Sequence, residues 1–268
     1  RLRAARVAVV GLGGVGSWAV EALVRSGVAA ITLIDFDHVA ESNINRQLQA
    51  LGSTLGQAKG DALRARIADI HPGCVVHVVD AFVEPDNWPA LLPAPVDGVV
   101  DACDQVRAKL ALAQWALASG TPLVSVGAAG GKLQAQQVEV EDLAAVTHDP
   151  LLAALRQRLR KSAAPRGDEG AVASQHQRAA RARKSAARPQ ALGVRCVFSR
   201  EAVRAPIRDD DAACAVDGSL NCHGYGSSVA VTASFGMVAA GELMRLLAAS
   251  RASDAQPGAT LESSFSRC

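Results

Sequence analysis

The sequence has little aromatic character and no long apolar run. Phenylalanine, tryptophan and tyrosine make up 3% of the 268 residues, so the core must be built mainly from alanine, valine and leucine. No apolar stretch reaches the roughly 18 residues that a bilayer-spanning helix needs, which predicts no stable membrane insertion. The sequence starts at Arg1 without a methionine, and no secretory signal pattern precedes its first apolar segment. We therefore expect a few further residues upstream and a cytoplasmic location.

The cysteines are scattered. None of the six forms a C-x-x-C pair, which excludes the usual spacing of a zinc knuckle or a thioredoxin-like redox site. A disulfide framework is typical of small secreted domains rather than of a chain this long. Cys222 lies beside His223 in a glycine-rich stretch, close to Cys214. We favour inert thiols and a packing histidine there, with a thiolate nucleophile as the alternative, which would need a lowered pKa and solvent access.

Positive charge is concentrated in one segment. The net charge is only +2, yet residues 156–188 contain ten lysines or arginines against two acidic residues, so the rest of the chain is acidic. A basic strip on an acidic body is typical of a surface that contacts a polyanion. A solvated loop without a partner explains the same composition, and both interpretations remain open here.

Short β-branched runs alternate with helical patterns along the first half of the chain. We predict strands over 6–10, 30–34, 75–79, 98–100 and 122–126, and helices over 14–26, 59–70, 86–92 and 105–119. This alternation favours an α/β fold with a Rossmann-type, mostly parallel sheet and helices on both faces. An antiparallel C-terminal extension is predicted from strands over 136–140 and 194–198 and helices over 150–161 and 229–247.

The composition also predicts domain boundaries. Residues 1–161 and 192–250 form one predicted domain. Residues 162–191 are rich in alanine, arginine, glutamine and serine without an apolar period, which predicts a basic disordered insertion. The polar residues 251–268 predict a disordered tail.

The first chemical motif is rich in glycine. Gly11-Leu-Gly13-Gly14-Val-Gly16 lies between the first predicted strand and the first predicted helix. In this context Gly11 permits a tight turn, Gly13 lets phosphate approach the backbone, and Gly16 lets the helix pack closely on the strand. Asp35 ends the second strand, 24 residues after Gly11, where a carboxylate can accept hydrogen bonds from ribose. The motif predicts a nucleotide site, with NAD and ATP both open and a tight turn without a ligand as the alternative.

Charged and amide side chains follow the second strand. They are Asp35 and Asp37, then Asn43, Arg46 and Gln47, and then Lys59. A hydride-transfer site does not need an arginine and a lysine beyond the ribose, whereas a triphosphate does, because both cations stabilise charge on a departing pyrophosphate. The pattern therefore favours ATP over NAD. Arg46 and Lys59 as unrelated surface charges are the alternative, which requires two coincidences.

Two carboxylates follow a later strand. Asp101 and Asp104 lie at its C-terminal end, which is the crevice where open α/β sheets bind ligands. Mg²⁺ prefers one or two carboxylates together with phosphate oxygens. We favour Asp104 as the Mg²⁺ ligand, whereas Asp101 is a candidate cap for the helix that follows.

Five motifs resemble the adenylation site of the ubiquitin-activating-enzyme-like superfamily, which includes the bacterial molybdopterin- and thiamine-pathway adenylyltransferases. They are G-x-G-G-V-G-S, D-F-D, S-N-x-x-R-Q, G-Q-x-K and D-x-x-D. The resemblance implies one ATP-binding adenylation domain with Asp35 on the ribose, Asp37 in the same site and Asp104 on Mg²⁺. It further implies that the phosphates are surrounded by Asn43, Arg46, Gln47 and Lys59.

The later motifs indicate a branch of this superfamily. The molybdopterin and thiamine enzymes usually carry two C-x-x-C pairs for zinc, which this sequence lacks. It resembles instead the tRNA threonylcarbamoyladenosine dehydratases, in the motifs Asp104-x-Val-Arg-x-Lys109, Gly127-Ala-Ala-Gly-Gly131, Glu141-Asp142-Leu-Ala, Asp149-Pro-Leu up to Lys161, Val197-Phe-Ser199-x-Glu201 and Gly226 to Gly236. Two features depart from that family: Gln134-Ala-Gln136 replaces an expected Asp-Pro-Thr, and the basic segment is longer.

The resemblance implies a homodimer that uses ATP and Mg²⁺ to adenylate the threonyl carboxylate of a modified tRNA and to close it into a ring with loss of water. The basic segment 156–188 is then a candidate contact for tRNA phosphates. The first alternative is an adenylyltransferase that activates the C-terminus of a ubiquitin-like sulfur carrier, with a sulfur-acceptor protein as partner. A non-catalytic or NAD-binding Rossmann protein is the second.

Overall fold

The computed structural model describes residues 2–163, 190–203 and 226–250. Within these ranges seven strands form one sheet. The strands are β1 (Arg6–Val10), β2 (Ala30–Ile34), β3 (Val75–Val79), β4 (Gly98–Asp101), β5 (Leu123–Val126), β6 (Val138–Asp142) and β7 (Arg195–Ser199). The helices of the same ranges are α1 (Gly16–Arg25), α2 (Lys59–Ile70), α3 (Val106–Ser119), α4 (Pro150–Ala163) and α5 (Val229–Ser250).

The sheet has the order β3-β2-β1-β4-β5-β7-β6. Neighbouring strands are parallel except for β6, which pairs with β7 in the antiparallel sense. The predicted fold class is therefore confirmed, including its antiparallel extension. From β1 the chain proceeds outward through β2 to β3 and then returns to β4 on the other side of β1. This reversal opens a crevice at the C-terminal ends of β1 and β4.

Both faces of β1 are buried, which explains its uninterrupted apolar sequence. Val7 and Val9 belong to a core shared with α1 and α5, while Ala8 and Val10 belong to a core shared with α3 and α4. Successive side chains of a strand point to opposite faces, so one short strand anchors both layers. The end of β1 is thereby held at the crevice.

Helix α5 is the apolar element of the C-terminal region. Val229–Ala249 is long and apolar enough to span a membrane by length and composition alone, with a mean hydropathy of 1.3. Phe235 and Leu243 are fully buried against α1 and the sheet. A Cβ atom on Gly236 would lie 2.4 Å from the carbonyl oxygen of Val15, so the two helices approach closely at this glycine. Packing within the fold accounts for this apolar face of α5.

One predicted helix is absent from the structure and one predicted strand is displaced, while the ends of several other elements differ by one to three residues. The helix predicted over 86–92 is wrong, because residues 85–91 form turns in which Asn87 Oδ1 accepts a hydrogen bond from Glu84 N at 2.8 Å. The strand predicted over 136–140 lies two residues later, after a short 3-10 helix at Ala135–Gln137. Most of the predicted insertion, residues 164–189, and the predicted tail lie outside the described residues.

Candidate nucleotide-binding site

A cavity of about 630 Å³ lies at the C-terminal ends of β1, β2, β4 and β5. Ten of the eleven residues predicted for the nucleotide site line it: Gly11, Gly13, Gly14, Asp35, Asp37, Asn43, Arg46, Gln47, Lys59 and Asp104. Gly16 lies behind the cavity wall at the start of α1. The structure thus brings together residues that are far apart in sequence.

The glycine turn is shaped by close backbone contacts. Gly11 has a φ of +84°, which favours glycine, and a Cβ atom there would lie 2.9 Å from the carbonyl carbon of Ala102. A Cβ atom on Gly16 would lie 1.7 Å from the carbonyl oxygen of Gly11. At Gly13, by contrast, a Cβ atom would meet only Gln47 Nε2, at 3.9 Å. The turn is therefore dense beneath and open toward the cavity, as phosphate binding at a helix N-terminus requires.

Asp35 directly follows β2 and supports the same turn. Its carboxylate accepts hydrogen bonds from the backbone N–H groups of Leu12 and Asp37. Because each carboxylate oxygen can accept further hydrogen bonds, ribose hydroxyls can still bind to it. This placement is compatible with the role expected from the sequence.

Arg46 lies over the glycine turn. A Cβ atom on Gly14 would lie 3.2 Å from Arg46 Cγ. The Arg46 guanidinium donates to Ser42 O at 2.7 Å and to Asn45 Oδ1 at 2.9 Å. The backbone carbonyl of Arg46 accepts a hydrogen bond from Trp18 Nε1 at 3.0 Å. The segment is thus held in place from both sides, with the cation directed to the cavity wall.

The two amides expected at the phosphates also have partners in the protein. Asn43 Oδ1 accepts a hydrogen bond from Ala40 N at 3.1 Å, at the start of a short 3-10 helix. Gln47 Oε1 accepts one from Gln49 Nε2 at 3.1 Å, and the same nitrogen donates to Leu12 O at 2.9 Å. Each amide oxygen thus shapes the cavity wall, and the NH₂ group of the same side chain can donate to a ligand.

Lys59 begins α2 and pairs with Asp37 across the cavity edge. Lys59 Nζ lies 2.7 Å from Asp37 Oδ2, and the lysine side chain is 6% exposed whereas that of the aspartate is 54% exposed. A buried ammonium that holds one exposed carboxylate can exchange that partner for a phosphate oxygen. The site therefore presents a second cation beside Arg46.

The two carboxylates after β4 have different surroundings. Asp104 is exposed and lines the cavity, and its side chain has no hydrogen bond or ion pair among the described residues. Asp101 is fully buried and pairs with Lys109 Nζ at 3.1 Å. The cap proposed for Asp101 is wrong, because α3 is preceded by Gln105 and has no side-chain cap.

The donor set fits a magnesium ion held jointly by protein and phosphate. The described residues contain no group of three or more histidine, cysteine, aspartate or glutamate side chains that could hold a metal by themselves. A free carboxylate on a cavity wall suits Mg²⁺, which is usually bound by one or two carboxylates plus phosphate oxygens.

Several lining residues were not predicted from the sequence. Phe82 follows β3, and its ring contacts Phe36 with centroids 5.3 Å apart. Cys103 lies on the cavity floor, where burial and the neighbouring Asp101 carboxylate raise the pKa of its thiol well above the ordinary value. The position of Phe82 three residues after the predicted strand 75–79 was the available signal for the first. The second had none, because the sequence does not show the buried carboxylate. Cys214, Cys222 and His223 lie outside the described residues.

A glycine turn, a carboxylate directly after the second strand and two cations at the switch point of a parallel sheet define a nucleotide-binding α/β protein. The chain belongs to the ThiF family, which matches its residues 1–264. It is 41% identical to the tRNA threonylcarbamoyladenosine dehydratase of Escherichia coli (strain K12), over 92% of this chain and 88% of that protein.

The chain also resembles a solved dehydratase structure over more of its length than it resembles an enzyme from a second branch of the family. The crystal structure of E. coli tRNA N6-threonylcarbamoyladenosine dehydratase in complex with ATP is similar with a TM-score of 0.74 and 40% identity, covering 94% of this chain and 89% of that chain. The molybdopterin-synthase adenylyltransferase of E. coli (strain K12) is 38% identical, but over only 46% of this chain and 49% of that protein. The similarity to the dehydratase thus extends across the fold, whereas the similarity to the other enzyme covers half of it.

Proposed function

We propose that this protein catalyses the ATP-dependent dehydration of threonylcarbamoyladenosine in tRNA through adenylation of the threonyl carboxylate. The carrying observation is the single cavity that the glycine turn, Arg46, Lys59 and Asp104 line together. A dehydratase of 40% identity has been solved with ATP. ATP is therefore the nucleotide that this cavity accepts in our proposal.

The reaction requires a carboxylate to become a good acylating group. A threonyl carboxylate oxygen forms a bond to the α-phosphorus of ATP while the bond from that phosphorus to the β-phosphate bridge breaks, which releases pyrophosphate. A nucleophile within the modification then attacks the acyl carbon, and AMP departs with the carboxylate oxygen. The ring closes with net loss of water, and no protein nucleophile is required. Catalysis is then mainly a matter of positioning and charge stabilisation.

The phosphate charge would be neutralised by two cationic side chains and by the Mg²⁺ that Asp104 would hold. Arg46 contacts the Gly14 backbone position and Lys59 reaches the same cavity, so both can stabilise the charge of the leaving pyrophosphate. Asp104 would hold Mg²⁺, which neutralises phosphate oxygens when bound. Asp35 would orient the nucleotide through its ribose. The position of all four side chains in one cavity supports these assignments.

The tRNA is proposed to approach along the basic end of α4. Arg158, Arg160 and Lys161 are exposed on its last turns, and they begin the basic segment 156–188. Phosphate contacts by such side chains would position the tRNA without reading its sequence. Residues 164–189 lie outside the described residues. A cytoplasmic location is part of the proposal, and a tRNA substrate is compatible with it.

A homodimer is part of the proposal. Val229 and Met237 of α5 and Ile44 of the neighbouring loop are exposed apolar side chains. Asn45 Nδ2 donates to Ser227 O at 3.2 Å, which joins this loop to the start of α5. Burial of these exposed side chains against a second copy of the chain would account for them, and this supports a dimer in our proposal.

Adenylation of a sulfur-carrier protein is the second candidate. It is favoured by the 38% identity to molybdopterin-synthase adenylyltransferase. The absence of C-x-x-C pairs from the full sequence and the half-length match both disfavour it. A sulfur-acceptor partner belongs only to this candidate.

The direct test is incubation of the protein with ATP, Mg²⁺ and threonylcarbamoylated tRNA, followed by mass spectrometry of the nucleosides. We expect the modified nucleoside to lose the mass of one water, and only when ATP is present. Unmodified tRNA is the matched control and should give no product. Pyrophosphate exchange that is stimulated by a sulfur-carrier protein and not by modified tRNA would favour the second candidate instead.

Lys59→Met is expected to lower kcat/KM for ATP by ~10²-fold, because it removes one preorganised charge from the phosphate site. Arg64→Met is the matched control: Arg64 lies on the same helix and forms an exposed pair with Asp61, so its kcat/KM should stay within about twofold of wild type. The measurement is steady-state pyrophosphate release. Equal activity of the two variants would remove Lys59 from the phosphate site.

A further inference from the structure

A charge pair lies fully buried directly beneath the nucleotide cavity. Lys109 of α3 and Asp101 at the end of β4 both have side chains without exposed surface, and Lys109 Nζ lies 3.1 Å from Asp101 Oδ2. Neither residue lines the cavity, so the proposed chemistry makes no direct use of them. Transfer of two charges into the interior is costly and often gives no net stability. A buried pair at this position therefore requires another explanation.

Lys109 connects the ends of two neighbouring strands. Its ammonium donates to Val126 O of β5 at 2.7 Å, to Asp101 O of β4 at 3.3 Å and to Ser125 Oγ at 3.4 Å. The residues that follow these strands, 102–105 and 127–130, both line the cavity. Beyond the pairing of the strands themselves, this one side chain links two segments of the cavity wall.

Asp101 holds the turn that leads to Asp104. Its Oδ2 accepts a hydrogen bond from Ser125 Oγ at 2.6 Å, and its Oδ1 accepts from Cys103 N at 3.3 Å and from Cys103 Sγ at 3.0 Å. The Asp101 carboxylate therefore binds the backbone and the side chain of the residue immediately before Asp104. The Asp104 side chain has no hydrogen bond or ion pair among the described residues, so the turn that Asp101 holds is what places it.

The same turn packs against the glycine turn. A Cβ atom on Gly11 would lie 2.9 Å from Ala102 C and from Cys103 N, and Ala102 N donates to Val10 O at 2.8 Å. No free space separates the two turns here. A shift of residues 102–103 would therefore move Asp104 relative to the glycine turn.

We propose that Lys109 and Asp101 are positioning residues that fix the Asp104 carboxylate relative to the phosphate-binding glycine turn. The proposal rests on the proposed function, because it takes Asp104 as the Mg²⁺ ligand and the glycine turn as the phosphate site. Groups that act on a reacting centre must be held within about 0.5 Å of their productive geometry. A network with four contacts on one ammonium and four on one carboxylate supplies that rigidity.

The double variant Asp101→Asn/Lys109→Met tests positioning separately from stability. It replaces the pair by neutral side chains of similar size and leaves no unpaired buried charge, so the fold is expected to persist. Affinity for ATP in EDTA should stay within about threefold, because the glycine turn, Arg46 and Lys59 are unchanged. The Mg²⁺ concentration for half-maximal enhancement of ATP binding should rise by about tenfold, and kcat should fall by ~10²-fold at a nearly constant KM for ATP.

Arg107→Met is the matched control, since Arg107 is exposed on the same helix; both its Mg²⁺ dependence and its kcat should match wild type. If the double variant does not fold, Ser125→Ala decides, because it removes one donor to Asp101 and keeps the charge pair. It should shift the Mg²⁺ dependence in the same direction, by about threefold.

The positioning role would be overturned if the folded double variant had the Mg²⁺ dependence and kcat of wild type. If the double variant does not fold, the same result in Ser125→Ala would overturn it. Failure of the proposed function has a different signature. In that case the wild-type protein itself would not dehydrate the modified tRNA, while the Mg²⁺ dependence of ATP binding would still distinguish the variants.

Discussion

Asp104→Ala is expected to lower ATP-dependent turnover by ~10³-fold or more while leaving the free energy of unfolding within about 0.5 kcal/mol of wild type. The Asp104 carboxylate is exposed on the cavity wall and has no partner among the described residues, so the fold does not depend on it. Loss of the carboxylate removes the proposed ligand to Mg²⁺, and with it the cation that would neutralise charge on the phosphates. Nucleoside mass spectrometry and pyrophosphate release measure the loss.

The control for this prediction is Asp86→Ala. Asp86 is exposed in a turn outside the cavity, so its removal changes the net charge equally without touching the site. Asp104→Asn keeps the size of the side chain and should be as inactive as Asp104→Ala, because Mg²⁺ needs the charge. Retained turnover in Asp104→Ala would remove the metal assignment, and the phosphate charge would then be left to Arg46 and Lys59.

Gly16→Ala is expected to lower the free energy of unfolding by about 3 kcal/mol and to abolish ATP binding. A methyl group there would lie 1.7 Å from the carbonyl oxygen of Gly11. Because that contact is with backbone rather than with a flexible side chain, either α1 or the glycine turn must move. Urea denaturation measures the stability, and calorimetric titration with ATP measures the binding.

Gly241→Ala is the matched control for the glycine substitution. Gly241 also lies in a helix, but a Cβ atom there meets no atom within 4 Å. Alanine has the higher helix propensity, so the variant should be as stable as wild type or up to about 1 kcal/mol more stable. Equal stability of Gly16→Ala and wild type would show that α1 and the glycine turn can separate without cost.

Some helices and strands were predicted from the sequence more accurately than others, and the reason is physical. The ends of β1, β2, α2 and β3 were predicted to the residue, because apolar runs and helical periods there change abruptly. The helix predicted over 86–92 was wrong because Pro89 lies inside it and Asn87 favours a turn. The hydrogen bond between the Asn87 side chain and the backbone favours turns in this segment, and the spacing of apolar residues gives no sign of it.

The cavity likewise contains features that the sequence predicts and features that it does not. The glycine turn, Arg46, Lys59 and Asp104 were predicted, because their residue types suit a triphosphate and their spacing follows the strands. The burial of Lys109 was not predicted, since a lysine on a helix usually extends to solvent. Its partners Asp101, Ser125 and Val126 are supplied by two other elements. Such a network exists only after the sheet has assembled, so no local pattern encodes it.

The position of α5 has a consequence for synthesis of the protein. Gly226, Ser227 and Thr232 form part of the cavity wall, and Gly236 fits against the first helix of the chain. The pocket therefore combines residues that directly follow β1 with residues that are translated only after β7. A nascent chain that has left the ribosome only as far as β7 has an incomplete wall. The complete wall is available to a nucleotide only after α5 has left the ribosome.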